Sequence, residues 1–199
     1  MKRNNFLILL AATGVSLFIA ACSGSLDNAG EDLFLSEKSA SLGSATSTAC
    51  NFDAVLTESE INGLLWMREE EKVARDAYLT FYDLYKDVVF KNIAQSEQAH
   101  MDAILYLIKG YGLTDPAYAE VGKFTPAFQT IYDDLTASGK TSLKAALQVG
   151  IDIETMDIAD LKERISQTSV PNILRVYNNL LSGSNNHLKA FTSKISRVK

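Results

Sequence analysis

Residues 92–103, NIAQSEQAHMDA, contain a glutamate and a histidine at a spacing suited to metal binding. Glu97 and His100 lie three residues apart, so both side chains project from one face of a helix. A buried carboxylate beside an imidazole offers the oxygen and nitrogen ligands that divalent metals accept. Burial of this face is predicted because apolar residues continue it at steps of three and four residues: Ile93, Ile104 and Leu107.

Three other stretches place polar side chains on an apolar helical face in the same way. Glu71 lies one heptad from both Leu64 and Tyr78, so it shares their face. Glu154 lies on the apolar face of its own stretch, with Asp157 one turn further along. The fourth face runs at steps of three and four residues through Ile173, Tyr177, Leu180, Ser184, His187 and Phe191.

Taken one at a time, these residues have ordinary structural explanations. A single histidine on an apolar face is commonly a hydrogen-bonded core residue, and a single buried glutamate can pair with an arginine such as Arg75. Several acids in one core are different, because each unpaired buried charge is strongly destabilising. Few basic residues are in phase with these acids, so the pattern predicts a bound cation.

The arrangement matches a dinuclear carboxylate site, in which two helices give one Glu each and two others give a Glu-x-x-His pair each. The second pair is incomplete, because Ser184 stands three residues before His187 where the acid belongs. Asp157 would supply the missing carboxylate from a neighbouring helix, and Asp160 is a less well-phased candidate. Two ions, one ion and none all remain open, and the predicted metal ligands are Glu71, Glu97, His100, Glu154, Asp157 and His187.

Three further residues near these positions have more than one possible role. Tyr78 would pack in the core, hydrogen-bond a metal ligand or take part in electron transfer. Gly150 and Gly183 lie four residues before Glu154 and His187, where they would open space for the site or permit close helix packing.

The first of these stretches also carries a dense run of charges, REEEKVARD at residues 68–76. Such runs usually form the solvated face of a helix. We therefore expect Glu69, Glu70 and Lys72 to face solvent, with Glu71 as the inward exception.

Capping and helix-breaking residues bound four long helices that would position these side chains. Thr57 and Glu60 form a capping box at the start of the first helix. No stretch alternates in the manner of a strand. The predicted helices run from Thr57 to about Leu84, from after Asp87 to Gly110, from about Ser142 to Ile165 and from Pro171 to Ile195.

The second and third of these helices are separated by a long connection, residues 111–140, in which Thr125-Pro126 begins a minor helix. Two helical hairpins joined by one long crossover are typical of the ferritin-like four-helix bundle. The predicted fold class is therefore all-α, with the crossover between helices two and three.

Residues 1–21 resemble a bacterial lipoprotein signal peptide. Lys2 and Arg3 precede an apolar stretch that ends in Ile-Ala-Ala-Cys, with the cysteine at position 22. Lipoproteins are cut before such a cysteine, whose sulfur carries the lipid, so the resemblance implies a membrane anchor at Cys22. The alternative is an ordinary signal peptide that a cysteine happens to follow. Ser23 favours an outer membrane, facing the periplasm, over inner-membrane retention.

Residues 22–52 are rich in Ser, Ala, Gly and acidic residues and predict a flexible tether before a folded domain at 53–199. Only Cys50 would remain as a free thiol, so neither a disulfide framework nor a cysteine zinc site is expected. The formal net charge of −5 disfavours nucleic acid and anionic surfaces as partners.

The runs MREEEKVARDAYL, NIAQSEQAHMDAI, ALQVGIDIETMDIADL and GSNNHLKAF resemble an uncharacterised family of ferritin-like bacterial and archaeal proteins, distantly related to rubrerythrins. The likeness covers about residues 55–195. It implies a ferritin-like fold and a metal site, but no established reaction. Glu71, Arg75 and Tyr78 resemble the first-helix ligand motif of rubrerythrins, and Glu97 with His100 resembles the second.

We therefore expect a lipid-anchored protein of the cell envelope that binds one or two divalent ions, iron or manganese first and zinc as an alternative. Reaction with peroxide or dioxygen would make it a di-metal oxidase or peroxidase. It would then need an external reductant, because the chain has no CxxC module. The alternative is a non-catalytic bundle, with a structural metal or none, that serves as a binding or assembly module.

Overall fold

The computed structural model describes residues 51–198, and within that range it contains five α-helices and no strand. The predicted all-α class is confirmed. None of these helices is both long and apolar enough to cross a membrane. The predicted signal peptide, Cys22 and nearly all of the predicted tether, including Cys50, lie outside the described residues. The helices are α1 Glu58–Tyr85, α2 Val88–Gly110, α3 Pro126–Gly139, α4 Leu143–Ser166 and α5 Pro171–Ile195.

The helix boundaries follow the capping residues. The Thr57 side chain accepts a hydrogen bond from the Glu60 N–H, and the Glu60 carboxylate accepts one from the Thr57 N–H, which is the predicted capping box. Side-chain oxygens of Asp87 and Ser142 each accept one hydrogen bond from a first-turn N–H group and so cap α2 and α4. Pro171 begins α5, where its missing N–H costs nothing. The long helices begin and end close to the predicted positions.

Neighbouring helices pack in antiparallel pairs. A two-residue link joins α1 to α2, and Phe81 of α1 packs against Phe90 of α2 with ring centroids 5.5 Å apart. Helices α4 and α5 pair in the same way, α1 also packs on α4, and α2 packs on α5. The fold prediction counted four bundle helices, whereas the described part of the chain contains five. The fifth is α3, which begins at the predicted minor helix and packs on α1 and α4.

The core contains a polar layer between two apolar clusters. One apolar cluster includes Tyr78, Phe81, Phe90, Leu147 and Phe191. The other includes Leu64, Ile104, Leu161, Tyr177 and Leu180. On each of the four long helices, the segment between these two sets carries the buried polar residues: Glu71, Glu97, His100, Glu154, Asp157, Ser184 and His187. The predicted inward faces are therefore confirmed.

The charge run of α1 is not a solvated face, and this part of the sequence-based prediction was wrong. Glu69 and Lys72 are only 5% and 0% exposed, and Glu70 is partly exposed. Residues of the 111–140 connection and α3 bond to this side of α1. The charges are tolerated because main-chain groups of the connection, distant in sequence, satisfy them.

Two side chains show how α1 holds the connection. The Lys72 ammonium donates to Asp76 Oδ2 at 2.6 Å and to the carbonyl oxygens of Glu120 and Lys123. Gly122 N–H donates to the same Asp76 oxygen at 2.9 Å. Glu69 accepts from both the N–H and the hydroxyl of Thr125, and thereby caps α3 in place of a local side chain. The back of α1 is therefore a polar interface within the protein.

The Lys72–Asp76 pair supplies a test of this interface. Asp76→Ala should lower the free energy of unfolding by about 3–5 kcal/mol, because it leaves a buried ammonium without its counter-charge. Asp83→Ala removes an exposed pair with Lys86 on the same helix and should cost less than about 1 kcal/mol. Urea denaturation measures both values, and equal losses would contradict the buried interface.

Candidate metal centre

Four helices bring five of the predicted ligands together in the polar layer. Glu71 comes from α1, Glu97 and His100 from α2, Glu154 from α4 and His187 from α5, and all five are at least nine-tenths buried. Their side chains form two groups, and each group could hold a metal ion. In each group the ligand atoms lie within 4.8 Å of one another. The groups are Glu71, Glu97 and His100, and Glu97, Glu154 and His187.

Glu97 belongs to both groups and gives one oxygen to each. His100 Nδ1 lies 2.8 Å from Glu97 Oε2 and 3.2 Å from Glu71 Oε2. His187 Nδ1 lies 2.8 Å from Glu97 Oε1 and 3.5 Å from Glu154 Oε2. The two imidazole rings stack with centroids 5.4 Å apart. The cluster is therefore a pair of similar half-sites that share one carboxylate.

The distances fit a ligand shell. Ligand atoms about 2.1 Å from one ion, in octahedral or tetrahedral geometry, are roughly 3.0–3.4 Å apart. The four nitrogen–oxygen distances fall around that range. Hydrogen bonds between imidazolium and carboxylate groups have similar lengths, so distance alone does not distinguish the two.

Unpaired atoms favour a cation over hydrogen bonds alone. Glu71 Oε1 is buried and has no hydrogen-bond partner. His187 Nδ1 also has no hydrogen-bond partner. Oxygens of Glu97 and Glu154 lie nearby, but neither is in a suitable direction for a hydrogen bond. A buried polar atom without a partner is costly. A cation in the second half-site would give His187 Nδ1 a partner, and one in the first would lie beside the Glu71 carboxylate, so the residues present fit metal ions.

Ser96 orients one imidazole and was not predicted from sequence. Its hydroxyl lies 2.9 Å from His187 Nε2, so it can accept the Nε2–H and leave Nδ1 free to bind a metal. A serine on a partly exposed helical position gives no periodic signal. Its one sequence cue is its position next to Glu97.

The two glycines prove to have different roles. A Cβ atom at Gly183 would lie 2.5 Å from His100 Nε2, so this glycine makes room for the imidazole. A Cβ at Gly150 would lie 2.9 Å from the Phe191 ring, so this glycine permits close packing of α4 on α5.

Tyr78 fulfils two of its predicted roles, packing and a hydrogen bond to a proposed ligand. Its hydroxyl donates to Glu154 Oε1 at 2.7 Å, and its fully buried ring packs against Phe90 and Phe191. The hydrogen bond leaves Glu154 Oε2 for the second group, because Oε2 is the oxygen nearest His187.

The predicted replacement for the missing carboxylate is close by but outside the two groups. Asp157 is buried, yet its carboxylate is a member of neither group, and its Oδ1 atom has no hydrogen-bond partner. Ser184 Oγ donates to the Leu180 carbonyl at 2.8 Å. Asp160 lies further out and accepts from Trp66 Nε1. A role for Asp157 as a sixth ligand stays a prediction.

Arg75 is not the counter-charge of the cluster. Its guanidinium forms an ion pair with Asp76 at 2.7 Å and donates to Gln98. The alternative in which an arginine neutralises a buried glutamate therefore does not apply to this residue.

Burial keeps two of the carboxyl groups protonated in the metal-free cluster. It raises the pKa of Glu71 to about 8, with His100 opposing the shift. Burial likewise raises the pKa of Glu154 to about 8, and the charge of Glu97 adds to the shift.

The residues at the centre of the cluster carry the charges. Burial would raise the pKa of Glu97, but the imidazoles of His100 and His187, each 2.8 Å from one of its oxygens, outweigh burial and lower the pKa to about 2. Burial would lower the pKa of both imidazoles, but the neighbouring carboxylates raise that of His100 to about 11 and that of His187 to about 10. Protons thus occupy the positions that a metal would take.

Comparisons with known proteins agree with the described fold. Residues 60–198 match the model of a family described as an uncharacterized protein domain, DUF2202. An uncharacterized protein of Methanocaldococcus jannaschii, MJ0754, is 47% identical over 143 residues, which cover 71% of this chain and 77% of that protein. The crystal structure of hypothetical protein MJ0754 matches with a TM-score of 0.71 and 46% identity, covering 72% of this chain and 83% of that chain.

The ionisable groups of the cluster should make the stability of the metal-free protein depend on pH. After a chelator has removed any metal, the melting temperature should fall from pH 5 to pH 8. Unfolded Glu71 and Glu154 release their protons near pH 4.5, whereas the folded groups hold them to about pH 8. The stabilisation that these two carboxyl groups contribute is therefore full at low pH and is lost as the pH rises through this window. The imidazoles act in the same direction above pH 6.5, because their folded pKa values are also raised.

Thermal unfolding of the chelated protein at several pH values measures this trend. The Glu71→Gln, Glu154→Gln double variant cannot titrate at these positions and should show a shallower slope. A melting temperature that rises across the window would contradict the electrostatics of the cluster.

Proposed function

We propose that this chain, which belongs to the DUF2202 family of uncharacterized domains, is a ferritin-like metalloprotein that binds two iron or manganese ions in its buried cluster. The observation that carries the proposal is the division of Glu97 between the two half-sites, with Oε1 near His187 and Oε2 near His100. A carboxylate with one oxygen in each of two ligand groups is suited to bridge two cations.

The helix arrangement supports the ferritin-like part of the proposal. Helices α1 and α2 form one antiparallel hairpin, α4 and α5 form the other, and the long connection with α3 joins them. In such bundles, metal ligands project inward from four facing helices. The five clustered residues come from these same four helices.

Each half-site would hold one ion. Glu71 and His100 would bind the first ion, Glu154 and His187 would bind the second, and Glu97 would bind both. Ser184 stands three residues before His187, where a second Glu-x-x-His pair would have its acid. Asp157, on the neighbouring helix α4, would replace that acid as the sixth ligand. Binding would release protons from the carboxyl and imidazole groups, so affinity for the metal would rise with pH.

The chemistry proposed is oxidation of a reductant by peroxide or dioxygen. A pair of iron or manganese ions, when bound, would relay electrons from the reductant to peroxide or dioxygen. The chain's own residues orient the ligands: Tyr78 holds Glu154 through its hydroxyl, and Ser96 fixes the His187 tautomer. The electrons for turnover would come from an external reductant.

The proposed place of action is the cell envelope. A lipid at Cys22 would anchor the chain, and residues 22–52 would act as the tether, in an outer membrane facing the periplasm. The alternative function, a non-catalytic binding or assembly module, would keep the same helices with a structural metal such as zinc or with none.

Metal content separates the two functions. The purified full chain should hold about two iron or manganese ions, and the His100→Ala, His187→Ala double variant should lose them, because each half-site loses its only nitrogen ligand. Elemental analysis by mass spectrometry gives the stoichiometry, and peroxide-dependent oxidation of a dye tests the reaction. The Asp102→Asn, Asp152→Asn variant removes two exposed acids and should keep its metal.

Two results would oppose the proposal. Retention of metal by the double histidine variant would place the ions elsewhere. Bound zinc without peroxide-dependent oxidation would favour the non-catalytic module.

Ser96→Ala tests the orientation of His187. Loss of the hydroxyl removes the acceptor for Nε2–H, so affinity for the metal should fall roughly 10- to 100-fold, with unchanged stoichiometry at saturation. Competition with a chelator measures the affinity. Ser182→Ala, on an exposed position of α5, should have no effect. Equal affinities of the wild type and Ser96→Ala would exclude the orienting role.

A further inference from the structure

We infer that the acidic face between α1 and α4 is the route by which a divalent cation enters and leaves the buried centre, with Glu70 and Asp160 at its entrance and Asp157, the proposed sixth ligand, at its inner end. The inference rests on the proposed function, since a route requires a centre to fill. It assigns a role to three carboxylates outside the two ligand groups.

A row of acids along α4 lines this route. Asp160, Asp157 and Glu154 are spaced by three residues, so consecutive members are neighbours about 4.5 Å apart along the axis, and the row turns around the helix from its partly exposed side toward the core. Their exposure decreases inward, from a partly exposed Asp160 to Asp157 at 5% and Glu154 at 1%. The row therefore leads from the surface to a member of the second half-site.

The entrance is formed by two carboxylates around one indole. Trp66 Nε1 donates to Glu70 Oε2 at 3.1 Å and to Asp160 Oδ2 at 3.2 Å, so the acids of α1 and α4 lie side by side. The Trp66 ring packs on Phe128 of α3, with centroids 4.7 Å apart, which fixes the indole. One N–H shared between two carboxylates leaves oxygen lone pairs available to a cation.

Asp157 follows Asp160 along the route, and it has a buried oxygen that lacks a binding partner. Its Oδ1 atom is buried without a hydrogen bond, and Glu71, the first ligand of the centre, has an unpaired buried oxygen of its own. On α4, Asp157 lies three residues from Asp160 at the entrance and three from Glu154 in the second half-site, so it is a neighbour of both.

The two entrance acids are better suited to passage than to permanent binding. In the described residues, groups of three close ligand atoms occur only around Glu97, so Glu70 and Asp160 belong to none of them. A cation would meet one or two carboxylates at a time and could move on. Negative charges that line an entrance raise the local cation concentration and the rate of association.

Loading kinetics test the route. Co²⁺ is mixed rapidly with the metal-free full chain, its visible absorption reports binding, and transfer to a chelator reports release. Glu70→Gln with Asp160→Asn keeps an acceptor for Trp66 but removes both charges. Loading and release should both slow by on the order of 5- to 10-fold, because one path serves both directions. Affinity and stoichiometry should stay within about 2-fold of the wild type, since no proposed ligand changes.

A matched control is the Asp102→Asn, Asp152→Asn variant, which removes two exposed carboxylates elsewhere and should load at the wild-type rate. Wild-type kinetics in the Glu70, Asp160 variant would overturn the route, and so would equal slowing in the control. Slow loading with lost stoichiometry would also overturn it, because the two acids would then belong to the centre. A wild-type chain that binds no Co²⁺ would refute the proposed centre itself, and the route with it.

Discussion

The structure depends on how charge is neutralised in one dry layer between four helices. Glu97 lies there with a carboxylate oxygen near each imidazole, and Glu71 and Glu154 face the same imidazoles from the other side. Without metal, protons on both rings balance the charge, but this leaves two imidazolium rings stacked 5.4 Å apart and buried atoms without partners. Metal ions between the rings and the acids would replace those protons and remove both defects.

The rest of the fold protects this layer. Apolar clusters lie on either side of it along the bundle and keep water from the ends. The opposite side of α1 is also charged, but its charges serve another purpose. Lys72, Asp76 and Glu69 bind main-chain groups of the long connection and of the α3 start, which fixes α1 from behind. Helix α1 therefore has a structural polar face and a separate face directed at the cluster.

Much of this arrangement could be predicted from periodicity, because helix caps and apolar spacing are local signals. The capping box of Thr57 and Glu60 begins α1 as expected, and Glu71, His100 and His187 point inward as their spacing indicates. The burial of Glu69 and Lys72 could not be predicted, since their partners lie about fifty residues away in the connection. The contact of Ser96 with His187, which joins two helices distant in sequence, was hidden for the same reason. Asp157 was correctly placed inside, but helical phase could not tell whether it reaches the half-sites.

Anomalous diffraction from crystals of the full chain grown with Mn²⁺ tests the central claim most directly, because it locates the ions themselves. Two peaks are expected, one beside each imidazole Nδ1, with the Glu97 carboxylate between them. A single peak at one half-site would reduce the centre to a mononuclear one. No peak in the layer, with the imidazoles hydrogen-bonded directly to Glu71, Glu97 and Glu154 at full Mn²⁺ concentration, would contradict a metal centre.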